Sequence, residues 1–194
     1  MSGPEPVRGG AGVRLRHAST DIVDVAAFRG LAAQVRALAA ERGWPLPEMG
    51  QVRTVPGGLA LCVRPERWLL LAPRGAVGAM QRSWQDALGR HGVSLDCSAA
   101  LHPLHVSGKA WRSMLARGSR IDLDPRVFAP GCAAATLIAQ VSVILTALGE
   151  NLLILTPATT ARHLREWLVS TAAPFGVDAP EDATVDLFRG ARST

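Results

Sequence analysis

The sequence predicts an α+β fold built from two related halves, with helices packed on mainly antiparallel sheets. Two observations carry that expectation. Short β-branched or apolar runs, joined by Gly- and Pro-containing turns of hairpin type, alternate with stretches whose apolar residues recur at helical spacing. The chain also echoes itself. Trp68-Leu69-Leu70-Leu71-Ala72-Pro73 followed by Arg82-Ser83-Trp84 matches Leu152-Leu153-Ile154-Leu155-Thr156-Pro157 followed by Arg165-Glu166-Trp167 at nearly the same internal spacing. Each half then reads as helix, strands, a strand ending in Pro, and a second helix, which is the pattern of a duplicated unit.

Taken in order, residues 1–20 read as a flexible N-terminal segment, since Met1 to Gly12 is rich in Gly and Pro. The first half spans 21–92. Asp21 is the expected N-cap of a helix whose apolar stripe is Phe28, Leu31, Val35 and Leu38, and Gly43 ends it. Trp44-Pro45-Leu46-Pro47 cannot continue a helix and forms a connector, with Trp44 as the tryptophan expected nearest to solvent. Gln51–Val55 and Leu59–Val63 flank Pro56-Gly57-Gly58 as a hairpin, and Trp68–Ala72 is a continuous apolar run suited to a strand covered on both faces. Met80, Trp84 and Leu88 mark the inner face of a helix from about Ala76 to His91.

The second half spans 93–176. Val93–Ser98 and Leu101–Val106 are expected strands. Ser107 is the expected cap of a helix with Trp111, Met114 and Leu115 inside, closed by Gly118. Ile121–Phe128 has too much Asp and Pro for a strand and reads as an ordered loop. β-branched residues favour strand from Ala133 to Leu148, with Asn151–Leu155 as its hairpin partner. A last helix runs from about Thr159 to Ala173. Residues 177–194 form a polar C-terminal tail with one apolar patch, Val185–Phe188, that needs a surface to dock on.

Composition narrows the function classes. With 194 residues, 48% of them hydrophobic, the chain has material for a real core, and disorder, a collagen-like fibre and a disulfide miniprotein are excluded. The 21 basic residues exceed the 16 acidic ones, but only Lys109 is a lysine and the arginines are scattered rather than blocked. The net charge of +5 therefore permits, without requiring, electrostatic attraction to nucleic acid, and nucleic acid is a disfavoured partner. Cys62, Cys97 and Cys132 form no close pair and sit among apolar residues, so neither a disulfide framework nor a zinc ribbon is indicated. Cys132–Leu148, the longest apolar stretch, is interrupted by polar residues and falls short of the roughly 20 residues of a membrane span. The N-terminus lacks the apolar core of a secretory signal, and a cytoplasmic protein without a membrane partner is expected.

No catalytic set emerges from the residues. His102 and His105 with Cys97 are donors of the zinc type, but residues three apart on a strand point to opposite faces and Pro103 intervenes. Asp122 and Asp124 suit a turn at Pro125 better than acid–base work, since no His or Lys stands beside them in sequence. Ser98 next to Asp96 lacks a Gly-x-Ser-x-Gly elbow, and Gly57-Gly58 lacks the spacing and Lys of a phosphate loop. Trp68, Trp84, Trp111 and Trp167 fit apolar stripes and belong to the core rather than to a base-stacking surface.

Several strings nevertheless carry a resemblance. Val93-Ser94-Leu95-Asp96-Cys97-Ser98, His105-Val106-Ser107-Gly108-Lys109-Ala110-Trp111 and Leu115–Leu123 resemble the sarcosine oxidase gamma subunit family, and the likeness continues through Pro125–Cys132 and Arg162–Leu168. Arg64-Pro65-Glu66-Arg67-Trp68-Leu69 looks like the same family, so the resemblance covers roughly Leu59 to Gly176. It implies a relative of the folate-binding aminomethyltransferase fold, whose two related α+β halves account for the internal echo. It further implies a non-catalytic subunit of a heterotetramer that demethylates sarcosine oxidatively to glycine, with hydrogen peroxide and formaldehyde or 5,10-methylenetetrahydrofolate as products. FAD, FMN, NAD and tetrahydrofolate would belong to the alpha, beta and delta partners. The large alpha subunit would be the chief contact, and this chain would hold no catalytic, cofactor-binding or metal-binding residue.

One feature of the sequence agrees with that passive role. Folate-dependent aminomethyltransferases need a carboxylate near the pterin and amine, and Phe128–Gly149, the corresponding region, contains no Asp or Glu. Folate-dependent iron–sulfur maintenance proteins carry a Lys-Gly-Cys start, of which Pro130–Thr136 keeps only Gly131 and Cys132. The alternative is a stand-alone folate-binding protein resembling the aminomethyltransferases.

Overall fold

The computed structural model describes residues 12–76 and 78–188. Twelve strands and four helices follow in the order β1 (Val13–Ala18), β2 (Thr20–Ala27), α1 (Ala32–Glu41), β3 (Gln51–Val55), β4 (Gly58–Arg64), β5 (Arg67–Pro73), α2 (Ala79–Leu88), β6 (Gly92–Asp96), β7 (Leu101–Ser107), α3 (Trp111–Leu115), β8 (Ala133–Ile138), β9 (Val141–Leu148), β10 (Asn151–Pro157), α4 (Ala161–Ala172), β11 (Val177–Asp178) and β12 (Thr184–Val185). They make two sheets. One has five strands in the order β3-β4-β5-β2-β6, and the other has seven in the order β11-β1-β7-β10-β9-β8, with β12 also on β1. Neighbours pair antiparallel except β11 and β12, which run parallel to β1. The expected α+β class with antiparallel sheets is what the chain adopts.

The echo in the sequence corresponds to a repeated order of elements, short strand, long strand, helix, three-strand meander, helix. It runs from β1 to α2 and again from β6 to α4. In both sheets the meander's last strand is central and leads directly into the long helix that follows. The two leading strands are exchanged. β1 pairs with β7 of the other repeat, while β6 pairs with β2. Ser19, the single residue between β1 and β2, carries the chain from one sheet to the other.

Each sheet buries a helix-covered face, and the two sheets bury their other faces against one another. Val23, Val25, Trp68 and Leu70 pack under α1 and α2 with Val35, Trp84 and Leu88. Leu104, Val106, Leu152 and Ile154 pack under α3 and α4 with Trp111, Leu164 and Leu168. Between the sheets lie Ile22, Leu59, Leu61 and Leu71 from one and Ala133, Leu153 and Leu155 from the other. β5 and β10 are apolar at consecutive positions because both of their faces are covered. Gly58 lets β4 approach β5 closely, since a Cβ there would stand 2.1 Å from the Leu71 carbonyl oxygen.

The core tryptophans satisfy their single donors as they are buried. Trp68 Nε1 donates to the Pro47 carbonyl and Trp111 Nε1 to the Glu150 carbonyl, both at 3.0 Å. Trp44 is half-buried, with its ring set edge-on to Trp84 at 5.9 Å, rather than left in solvent.

Other expectations are corrected. Of the segment expected to be flexible, 1–11 lie outside the described residues, whereas Val13–Ala18 is a sheet strand with Val13 and Leu15 buried. Asp21 is no helix cap. It sits in β2, where Thr20, Ile22, Val23 and Val25 give β-branched side chains to both faces, and its carboxylate accepts the Gly75 N–H at 2.9 Å. The helix starts only at Ala32, so Phe28 leaves the stripe and is 50% exposed. Ser107 likewise ends β7 instead of capping α3. The run from Ala133 to Leu148 folds back on itself at Ala139 and Gln140, both at positive φ, to give β8 and β9. In the tail, Val177–Asp178 and Thr184–Val185 extend the larger sheet and Phe188 is buried between the sheets, so the apolar patch docks on this chain's own core.

Candidate functional site

Register brings two histidines together. His17 on β1 stands opposite Leu104 on β7, and His102, two residues from Leu104, shares its face. The two rings lie 4.6 Å apart and are tilted by 34°. They line a cleft of about 770 Å³ bounded by β1, β7, the first turns of α4 and residues 180–184. Burial holds His17 below the ordinary histidine range, helped by the Arg74 charge and opposed by the Pro103 backbone carbonyl. Burial also lowers His102, with His17 and Arg165 adding to the effect. Both are therefore neutral at pH 7.

The arginines of this cleft are each held by a carboxylate or a carbonyl. Arg16 donates to the Asp178 carboxylate at 2.5 Å and to the Asp178 carbonyl at 2.9 Å. Arg165 donates to the Ala179 carbonyl at 2.5 Å and lies 3.9 Å from Glu181, while Arg162 pairs with Glu166 at 2.9 Å. His17 Nδ1 is buried without a hydrogen-bond partner. A neutral imidazole can take up a proton, but a general base also needs an orienting group. No carboxylate hydrogen bonds to either ring among the described residues. What the arrangement visibly does is clasp the tail to β1 and α4.

The residues singled out in the sequence do not converge. His105 lies on the opposite face of β7 from His102, also held low, by burial and by Arg16. Ser98 Oγ accepts the Ile22 N–H at 3.0 Å, and Asp96 accepts the Ser98 backbone N–H at 2.9 Å, which closes the turn after β6. Asp124 likewise accepts the Arg126 backbone N–H and pairs with its guanidinium, both at 2.9 Å, as a turn before the loop through Phe128. Burial raises the Cys62 and Cys97 thiols, which disfavours the thiolate that a nucleophile or metal ligand requires. Among the described residues no three His, Cys, Asp or Glu side chains gather as a metal site.

Where the sheets diverge, a surface appears that sequence patterning had assigned to ordinary strand. Along β6, Ser94 faces α2, and Gln85 and Gln81 bind its backbone N–H and carbonyl at 2.8 and 3.1 Å. Val93 and Leu95 point the other way, onto the inter-sheet face, but the second sheet does not reach them, and they are 44% and 58% exposed. Beside them Arg67 grips Asp24 through Nε at 2.8 Å and a terminal nitrogen at 2.6 Å. A cleft of about 190 Å³ there is walled by Leu69, Cys97, Leu101 and Ile144. It runs through Arg64, Leu101 and Ile144 into a second, about 410 Å³, over β8 and β9.

Residues 23–173 match the model of the "Sarcosine oxidase, gamma subunit family". The sarcosine oxidase subunit gamma of Corynebacterium sp. (strain P-1) is 34% identical over 143 residues, 72% of this chain and 70% of the relative. That of an Arthrobacter species is 32% identical over 142 residues, with the same coverage. A chain of the heterotetrameric sarcosine oxidase from Corynebacterium sp. U-96, solved in complex with pyrrole 2-carboxylate, superposes with a TM-score of 0.77 at 33% identity, covering 87% of this chain and 88% of that one. Aminomethyltransferase T of the glycine cleavage system from Bartonella henselae superposes with a TM-score of 0.65 at 18% identity, over 87% of this chain and 48% of that one, a likeness of fold. On the extent of the family match and the identity to these relatives, the chain belongs to the sarcosine oxidase gamma subunit family.

Proposed function

We propose that the chain is the gamma subunit of a cytoplasmic heterotetramer that oxidises sarcosine, and that it serves as a docking scaffold without catalytic residues of its own. The observation that carries this reading is the likeness, at 33% identity over 87% of the chain, to a chain of a heterotetrameric sarcosine oxidase. In the proposed assembly the N-methyl group of sarcosine would be oxidised, oxygen would be reduced to hydrogen peroxide, and the one-carbon unit would leave as formaldehyde or as 5,10-methylenetetrahydrofolate, with glycine as the other product. The redox and one-carbon steps belong to FAD, FMN, NAD and tetrahydrofolate on the alpha, beta and delta subunits.

The reading fits the residues. Phe128–Gly149, which here forms the loop into β8 and the β8–β9 hairpin, has no carboxylate to serve a folate. The halves 21–92 and 93–176 then act as one scaffold for the large alpha subunit. Co-expression of the full chain with the alpha, beta and delta subunits should yield a stable complex in which this chain is stoichiometric. Calorimetry of the isolated chain with tetrahydrofolate should give no heat. A chain that never co-purifies, or that binds folate saturably alone, overturns the proposal.

A further inference from the structure

The repeat makes the two ends of the inter-sheet seam comparable. Ala18 closes β1, and Cys97 follows β6, the exchanged strand of the other repeat. At the Ala18 end the chain covers the seam itself. Val185 lies in register beside Ala18, and the turn that follows, closed by the Asp186 carboxylate on the Phe188 N–H at 2.9 Å, brings Phe188, 2% exposed, into the inter-sheet core. That stretch, Val185-Asp186-Leu187-Phe188, places three apolar residues in or against that core. At the Cys97 end no described segment of the chain does the same, and Leu95, Val93 and Phe28 stay 58%, 44% and 50% exposed. Charge adds direction. Arg64 borders both clefts at this end, and among the described residues its guanidinium has neither an ion-pair nor a hydrogen-bond partner.

We propose that the seam end formed by Val93, Leu95, Leu101, Ile144 and Arg64 receives a segment of a partner subunit that bears apolar anchors, as Val185–Phe188 supplies at the other end, and at least one carboxylate to pair with Arg64. This deepens, and rests on, the reading of the chain as a docking subunit. The contact is made through side chains rather than by strand addition, because Gln81 and Gln85 already bind the outward backbone groups of Ser94. Apolar anchors would supply most of the affinity, and the Arg64 pair would fix orientation.

The test uses the full chain co-expressed with the other three subunits and a titration of purified chain into complex lacking it. Leu95→Asp and Arg64→Glu should each weaken assembly by about 30-fold or more, the scale of an interface hot spot. Both positions are exposed, so thermal melts of the isolated variants should match wild type, and Val127→Asp, at a residue 62% exposed elsewhere, should assemble normally. Wild type that assembles while both variants assemble as tightly overturns this surface and leaves the docking reading standing. Wild type that fails to assemble overturns both. Isolated chain that is a dimer, and that Leu95→Asp converts to monomer without weakening assembly, assigns the face to a second copy and also overturns the proposal.

Discussion

β1 and β6 hold equivalent places in the repeat, and their chemistry is reversed. β1 turns Val13 and Leu15 toward the helices, where they are buried, and its outer edge is closed by β11 and β12. β6 turns Ser94 toward the helices, gives its outer backbone groups to glutamines of α2, and leaves Val93 and Leu95 in solvent. One strand has thus been sealed by its own chain, and the other has been kept from further strand pairing while its apolar face stays open. The same order of elements occurs twice, and the two exchanged strands differ in what covers them.

The heaviest blow to the sealed side is Phe188→Ala, which should cost about 3–5 kcal/mol, the usual range for a buried Phe truncation, and lower the melting temperature of the isolated chain. A melt unchanged within error would mean that the tail does not seal the seam. Next in size, Gln85→Ala leaves the buried Ser94 N–H without its acceptor, at about 1–3 kcal/mol by denaturant titration. Were β6 then to accept another strand, the variant would also aggregate, which light scattering would register. On the sealed side, His17 and His102 have folded-state proton affinities below the unfolded value of about 6.5. Stability is therefore complete above that pH and declines as pH falls below it, because the unfolded chain binds more protons. His102→Gln should flatten that dependence in melts taken between about pH 7 and 5. The smallest effect belongs to the open side, where Val93→Ser should change stability by less than about 0.5 kcal/mol.

Patterning made much of the fold legible. The β3–β4 hairpin, β5 with α2, and β10 with α4 follow from turn chemistry, continuous apolar runs and helical stripes that agree with one another. β1 escaped because two of its residues are arginines in a Gly- and Pro-rich neighbourhood, and its partners come about 90 and 160 residues later in the chain. β2 was hidden by an aspartate placed where a cap would stand, although Ile22, Val23 and Val25 carried the strand signal. The site was less legible still. Val93 and Leu95 read as any strand residues do, and only the reach of the second sheet decides that they are exposed. The His17–His102 stack depends on a register between distant strands that neither segment encodes alone.

The exchange of β1 bears on how the protein is made. Synthesis delivers β1 before any of its neighbours, which are β7 and then residues 177–178 and 184–185. While the chain grows, β2 can join β5 and later β6, so the five-stranded sheet is complete by residue 96, when β1 still has no partner. The seven-stranded sheet closes around β1 only after residue 185 has left the ribosome. Nascent chains stalled before the tail would hold one finished sheet and an unguarded strand, the state most exposed to wrong pairing and to chaperone capture.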